Sequence, residues 1–194
     1  MKTAITISRQ MGSGGRRIAE MVAERLEWRL VGKELITEAA RKSGTDERKI
    51  ERVFEQRLSL QDRITFRERS EKYIDSMSHV IREVVGEGRV VILGRGAHII
   101  MQGDSRIFRV HLVAELEVRI PRIAEQYKLK GKAGGHEARR MVINSDYART
   151  AYHNYLFEAD WNDPLLHDLV INTTSISIEQ AADTVLEAFR IMGT

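Results

Sequence analysis

The stretch TAITISRQMGSGGRRIAEMVAERL, residues 3 to 26, decides how the rest of the chain is read. Thr3–Ser8 is a short apolar run of strand type. Gly12, Gly14 and Gly15 mark a turn, and Ile18, Met21, Val22 and Leu26 then share one face of a helix. Strand, glycine turn and helix in succession make a phosphate loop, in which backbone N–H groups and the positive end of a helix converge on an anion. The glycines supply backbone freedom, Ser13 a hydroxyl, and Arg16 and Arg17 two cations at the helix start. Those arginines oppose the helix dipole by about 0.3–1 kcal/mol each, which a bound phosphate offsets. The same residues also suit a plain tight turn with two surface arginines. The loop departs from GxxxxGK[ST]: Gly15 occupies the lysine position and Arg16 the hydroxyl position. Arg16 can replace the lysine's charge but not the metal-binding hydroxyl, a part that Ser13 can fill only partly. A GxGxxG dinucleotide site fits less well, since Arg17 stands where a glycine is needed and no acidic residue ends the second strand.

Outward from this stretch, three more apolar runs read as buried strands: Arg89–Leu93, Ile107–Val113 and Asp168–Asn172, with a weaker one at Trp28–Val31. Helical patterns separate them, which predicts βαβ units and a central parallel sheet of about five strands. Lys33 and Glu34 open one helix. Ser177 and Gln180 form a capping-box pattern ahead of Ala181, Ala182, Val185, Leu186 and Phe189, the stripe of the last helix. A helical insertion spans 45–86, with stripes at Ile50, Val53, Phe54 and Leu58 and at Tyr73, Ile74, Met77, Val80, Ile81 and Val84. After Ile120 the stretch YKLKGKAGGHEARR is basic and poor in apolar residues, and reads as a mobile flap over 120–150.

Composition sets the outer limits. With 194 residues, 42% of them hydrophobic and 30% charged, this is one soluble globular unit spanning 1–194. A chain of this length buries roughly 70% of its unfolded surface. The net charge of +3 is too small to imply nucleic acid, though it permits a local basic pocket. With no cysteine, thiol catalysis and thiolate–metal sites are excluded. No secretory leader and no membrane-length apolar run is evident, so the expected location is cytoplasmic. The six histidines show no metal-binding spacing, and His111 falls in a strand, where a structural role is expected. Tyr152, Tyr155, Phe157 and Trp161 read as core packing after the flap.

Three segments carry a family resemblance together with ISRQMGSGG: GRVVILGRGAHII (88–100), RIFRVHLVAELEVRIPRIAEQ (106–126) and INSDYARTAY…HDLVINTTSISIEQA (143–181). In this order they resemble the cytidylate kinase family of nucleoside monophosphate kinases, above all its cytidylate kinase-like branch. The resemblance implies a three-layer α/β P-loop kinase-like fold, with the helical insertion on the acceptor side. It places Gly12, Ser13 and Gly14 around the donor phosphates. Gly94 and Arg95 match the Gly-Arg of a DGRD motif facing the acceptor nucleotide, with Leu93 and Gly96 at the positions of its two aspartates. Glu117, Arg119 and Arg122 resemble an ERAxRR pattern that opens the flap, where arginine contacts ATP. Asp146 and Arg149 match the D-x-x-R that closes it, where the arginine contacts acceptor-end phosphate. A GSGG loop without lysine is common in the branch.

Phosphoryl transfer asks for positioning and positive charge more than covalent help, and arginine supplies both because it stays charged and binds phosphate bidentately. Arg119, Arg122, Arg139, Arg140 and Arg149 are the supply. Arg16, Arg122, Arg140 and Arg149 are the candidate catalytic cations. Gly12, Ser13, Gly14, Gly15, Arg16, Arg17 and Arg119 are the candidate ATP-binding residues. Arg95, Asp146 and Arg149 are candidates for the acceptor. Asp146 and Arg149 also suit a simple i,i+3 helix pair. The expectation is an ATP-dependent transferase acting on CMP or a related acceptor, with magnesium arriving on ATP and no clear protein ligand for it. The alternative is a nucleotide-binding regulatory module that has lost catalysis. A nucleic-acid binder using the flap is disfavoured, since aromatic and basic residues do not interleave. The oligomeric state stays open.

Overall fold

The computed structural model of the chain describes residues 2–43 and 60–193. Its strands are β1 (Ala4–Arg9), β2 (Arg29–Val31), β3 (Val90–Leu93), β4 (Ile107–Val113) and β5 (Leu169–Asn172). All pair in parallel, in the order β2-β3-β1-β4-β5. The weak three-residue run after Trp28 is thus a true edge strand, held by pairing with Val90–Ile92 rather than by its own composition.

Helices cover both faces of the sheet. They are α1 (Gly15–Leu26), α2 (Glu34–Ser43), α3 (Leu60–Glu87), the short α4 (Ala97–Ile100), α5 (Leu116–Gln126), α6 (Gly131–Phe157) and α7 (Ile178–Met192). Side-chain alternation along each strand makes two cores. Ile5 and Ile7 of β1, with Phe108, Val110 and Leu112 of β4, pack against Ile18 and Val22 of α1 and Ala181, Ala182 and Val185 of α7. On the opposite face Ala4, Val90, Ile92 and Ile107 meet Met77, Val80, Ile81 and Val84 of α3. This is the three-layer α/β arrangement of a P-loop kinase fold, which leaves each parallel strand apolar on both sides. Of the insertion's two stripes, the first (Ile50, Val53, Phe54 and Leu58) lies outside the described residues, and so does the Tyr73 side chain. In the second, Met77, Val80, Ile81 and Val84 are buried as the spacing predicts, and Ile74 is half-buried. The capping box of α7 is also present: Ser177 Oγ accepts from Gln180 N at 3.1 Å, and Gln180 Oε1 accepts from Ser177 N at 2.9 Å.

The flap expected at 120–150 is helical. Within it α5 and α6 form a hairpin with a small core of its own, in which Ile123, Ala138 and Val142 are buried against Ile120, Ala124, Leu129 and Met141. The stretch read as a basic flap poor in apolar residues, because small residues make part of this packing. At Gly134, for example, a Cβ would come within 2.7 Å of the Leu129 backbone, so that glycine marks close packing rather than chain freedom. Among the described residues no helix is long and apolar enough to cross a membrane.

Candidate functional site

The chain leaves β1 for one half of the sheet and enters β4 to build the other, so the strand order switches direction around β1. Ligands bind at such switch points, beyond the carboxyl ends of the strands. Here the turn after β1 faces the α5–α6 hairpin across a cleft of about 710 Å³. One wall carries Arg9, Gly12, Gly14, Gly15, Arg16 and Arg17. Opposite them stand Asn144, Ser145 and Arg149 of α6. A second hollow of about 70 Å³ is lined by Arg9, Gly94, Arg95 and Arg149, and walled by His98, His153 and Trp161. Arg9 and Arg149 line both spaces, so two cations stand where the two meet.

The glycine turn is held from behind. Gly12 and Gly14 lie in the left-handed region, with φ of 82° and 80°. Ser13 is fully buried, and its hydroxyl donates to the Gln10 carbonyl at 2.8 Å. The Gln10 side chain accepts from Ala114 N at 3.0 Å, tying the loop to the end of β4. Thr173, just past β5, donates its hydroxyl to the Ser13 carbonyl at 2.9 Å. Arg122 reaches the Thr173 carbonyl at 2.9 Å and the Gly12 carbonyl at 3.4 Å. Arg119 is buried; its Nη1 donates to Asp146 Oδ2 at 2.7 Å and to the Met11 carbonyl at 3.3 Å. Of the loop's N–H groups, Gln10 N donates to the Leu112 carbonyl at 2.9 Å and Ser13 N to the Gln10 carbonyl at 3.3 Å; the other braces take carbonyl oxygens or side chains, and α1 begins immediately after Gly14 with no side-chain cap. The helix start is thereby left to an anion in the cleft.

The candidate residues therefore divide into two groups. Gly12, Gly14, Gly15, Arg16, Arg17 and Arg149 meet on the large cleft, and Arg95 joins Arg149 on the small one. Arg119, Arg122 and Ser13 lie behind the loop as braces. Asp146 is bound by Arg119, while its Oδ1 is buried without a hydrogen-bond partner. Arg140 is 73% exposed and 3.9 Å from Glu137 on its own helix, and Arg139 pairs with Glu117, so both lie off the cleft wall. Arg16 and Arg17 are exposed at the cleft mouth, where Glu20 holds them at 3.1 and 3.7 Å.

Sequence reasoning missed two components. One is Arg9, whose signal was its place five residues before Gly14, where the GxxxxGK pattern has its first glycine. The other is a buried cluster of imidazoles beneath the second turn. His98 and His167 stack at 4.8 Å, His111 and His167 at 4.6 Å, and His153 and Trp161 at 5.7 Å. Burial is the chief cause that holds all four imidazoles neutral. It pushes His111 down to about 3 and His153 to about 4, and lowers His98 and His167 in the same direction. The cluster aims Arg149. His153 Nδ1 lies 2.7 Å from the Arg149 carbonyl, and the Arg149 guanidinium stands 5.9 Å from the Trp161 ring centroid, within cation–π range. Trp161 is itself fixed by donating to Thr150 Oγ1 at 2.9 Å. No sequence spacing could announce this group, because its members come from α4, β4, α6 and the approach to β5.

The cleft suits a polyphosphate. It has poor provision for a metal: Glu20, the one carboxylate among its described lining residues, is taken by Arg16 and Arg17, and the Ser13 hydroxyl is committed to Gln10. Among the described residues no cluster of His, Asp and Glu is placed to hold a metal ion.

Comparison with known proteins agrees with this geometry. The model of the cytidylate kinase-like family matches residues 4–175. Over 187 residues the chain is 26% identical to a cytidylate kinase of Methanocaldococcus jannaschii, covering 95% of this chain and 96% of that one. It is 25% identical over 188 residues to a cytidylate kinase of Archaeoglobus fulgidus, covering 96% and 94% respectively. Among solved structures, an uncharacterized protein from Eubacterium ventriosum matches with a TM-score of 0.75 at 21% identity, over 97% of this chain and 99% of that one. A shikimate kinase from Bacteroides thetaiotaomicron matches with a TM-score of 0.54 at 16% identity, over 99% of each chain. These structural likenesses bear on the fold.

Proposed function

The chain belongs to the cytidylate kinase-like family, and on that premise we propose that it moves the γ-phosphoryl group of ATP to CMP or a related phosphate-bearing acceptor. The observation that carries this reading is the pair of joined hollows, one floored by the glycine turn and one by the Gly94–Gly96 turn, with Arg149 and Arg9 at their junction. Two phosphate-bearing substrates placed end to end would meet there.

In this reading the N–H groups of the glycine turn and the start of α1 cradle the donor phosphates. Arg16 and Arg17 screen them at the mouth. Arg95 holds the acceptor phosphate, and Arg149, with its carbonyl and guanidinium held by His153 and Trp161, stabilises the charge that develops on the transferring group. Arg119 and Arg122 contribute by holding the loop, and Asp146 by holding Arg119. The α5–α6 hairpin, closed on the ligands, keeps water from the phosphoryl group. Magnesium would come with ATP, carried by its phosphates; the described residues offer it no ligand set, and no step is assigned to it. A cytoplasmic enzyme with nucleotides as its partners fits this assignment.

The test is ADP formation from magnesium-ATP with a panel of nucleoside and deoxynucleoside monophosphates, against a control without acceptor. Acceptor-dependent ADP names the substrate class. Arg149→Ala should then lower turnover by about two to three orders of magnitude while leaving the melting temperature close to wild type. A flat panel with ATP still bound would instead favour the non-catalytic nucleotide-binding module, the reading that Gly15 at the lysine position supports.

A further inference from the structure

We infer that Arg9 takes over the work of the absent loop lysine, as a catalytic cation reaching the transferring phosphoryl group from the end of β1. The inference rests on the kinase reading above and adds the residue that closes its largest chemical gap.

Two departures from the GxxxxGK pattern are reciprocal. Counting back from Gly14, the position of the pattern's first glycine holds Arg9, and the position of its lysine holds Gly15. The backbone does not explain Gly15, which is absent from the left-handed glycines that include its neighbours Gly12 and Gly14. Space explains it. A Cβ on Gly15 would lie 2.6 Å from both Cβ and Cγ of Arg9, which any real side chain would have to displace. The arginine's stem therefore occupies the room in which a lysine at 15 would begin.

The far end of the same side chain lies at a second glycine. At Gly94, the first residue after β3, an added Cβ would strike Arg9 Nη1, so the guanidinium lies against the acceptor-side turn. Arg9 thus runs from the donor loop to the acceptor turn, crossing the sheet's switch point, and it lines both hollows. A loop lysine reaches the β- and γ-phosphates from the donor side. An arginine entering from β1 reaches the same space with a planar fork of donors that can hold oxygens of two groups at once.

In the transfer step a P–O bond forms between an ionised oxygen of the acceptor phosphate and Pγ. The bond from Pγ to the β,γ-bridging oxygen breaks, and its electron pair stays on the β-phosphate of ADP. The acceptor oxygen carries no proton at neutral pH, so none must be removed. Negative charge spreads over the equatorial oxygens of the moving group and the bridging oxygen, and those atoms would pass beside Arg9.

The experiment uses the full chain with Arg9→Met, Arg9→Gly, Gly15→Lys and the double variant Arg9→Gly/Gly15→Lys. Arg9→Met should lower turnover by about a hundredfold or more, with the affinity for magnesium-ADP, measured by titration calorimetry, held within about threefold. The double variant restores the first glycine and the lysine of the GxxxxGK pattern, with Arg16 still at the hydroxyl position, and should recover at least about tenfold of what Arg9→Gly loses, whereas Gly15→Lys alone loses activity because the two side chains collide. Turnover of Arg9→Met near wild type, or a double variant that binds ADP yet recovers nothing, overturns the inference. A binding arm separates it from the kinase reading. If wild type transfers to no acceptor, that reading falls. Arg9 is then judged on whether Arg9→Met loses about tenfold in its preference for magnesium-ATP over magnesium-ADP. Loss keeps Arg9 on the γ-phosphate, and an unchanged preference removes it.

Discussion

The turns after β1 and β3 both place glycines in the left-handed region, but they are built to different ends. In the first, Gly12 is demanded by contact as well as by its φ of 82°: a Cβ there would lie 2.8 Å from the Arg119 Cβ and carbonyl oxygen. Around it, Gln10, Thr173, Arg119 and Arg122 hold the loop with hydrogen bonds. In the second, Gly94, Arg95 and Gly96 follow one another at φ of 79°, 65° and 70°. An arginine in that region costs about 1–2 kcal/mol, and the strain holds a cation at the mouth of the small hollow. Its support is a cluster of neutral imidazoles. One turn is a cradle braced from behind its backbone, and the other holds a strained arginine over a floor of buried imidazoles.

Acid should distinguish them most strongly. In the unfolded chain an imidazole titrates near 6.5, whereas burial holds His111 at about 3 and His153 at about 4. As pH falls the unfolded chain takes up protons first. The stability owed to the neutral pair is therefore whole above about pH 6.5 and drains away below it, until the folded values are passed. From pH 7.5 to pH 5 these two residues alone should remove about 4 kcal/mol. Thermal melts across that range, with proton uptake on unfolding measured by calorimetry in two buffers, check this. Equal stability at both pH values would show that the cluster is hydrated.

Gly12→Ala attacks the first turn directly. The left-handed backbone and the contact with Arg119 should together cost about 3 kcal/mol, lowering the melting temperature by about 10 °C. Nucleotide affinity should fall as well. A wild-type melt would mean that α5 can back away from the loop.

The smallest effect has the opposite sign. Arg95→Gly removes the strain of the second turn and should raise stability by about 1 kcal/mol, while weakening the acceptor's KM and leaving ATP affinity unchanged. Steady-state kinetics with the acceptor identified in the panel, together with a denaturant titration, tests both halves.

Much of this could be read from the sequence because it rests on local rules. Apolar runs of four to seven residues gave β1, β3, β4 and β5, and spacing gave the buried faces of α1, α7 and the second half of α3. The Ser177–Gln180 capping box needs only four residues to be recognised. The helical packing within the flap was not legible because Gly134 and Ala138 pack by being small, and small residues carry no hydrophobic signal until a partner helix is present. The surroundings of the arginines were not legible for a related reason. Their charge is visible, but whether Arg119 and Arg122 face a phosphate or a carbonyl oxygen depends on which side of the loop α5 docks.

By itself, then, the sequence determined a parallel α/β sheet, a glycine turn after its first strand and a surplus of arginine, since each follows from side-chain periodicity or from the dihedral freedom of a few neighbouring residues. Only the tertiary structure decided which arginines meet. It set Arg9 over Gly15 and against Gly94, drew Arg119 onto Asp146, and gathered His98, His111, His153 and His167 under one turn. The partners so joined lie as far apart in the chain as Arg9 and Gly94. Their distances are fixed by strand order and helix docking, and those are settled by the burial of the two cores taken as a whole.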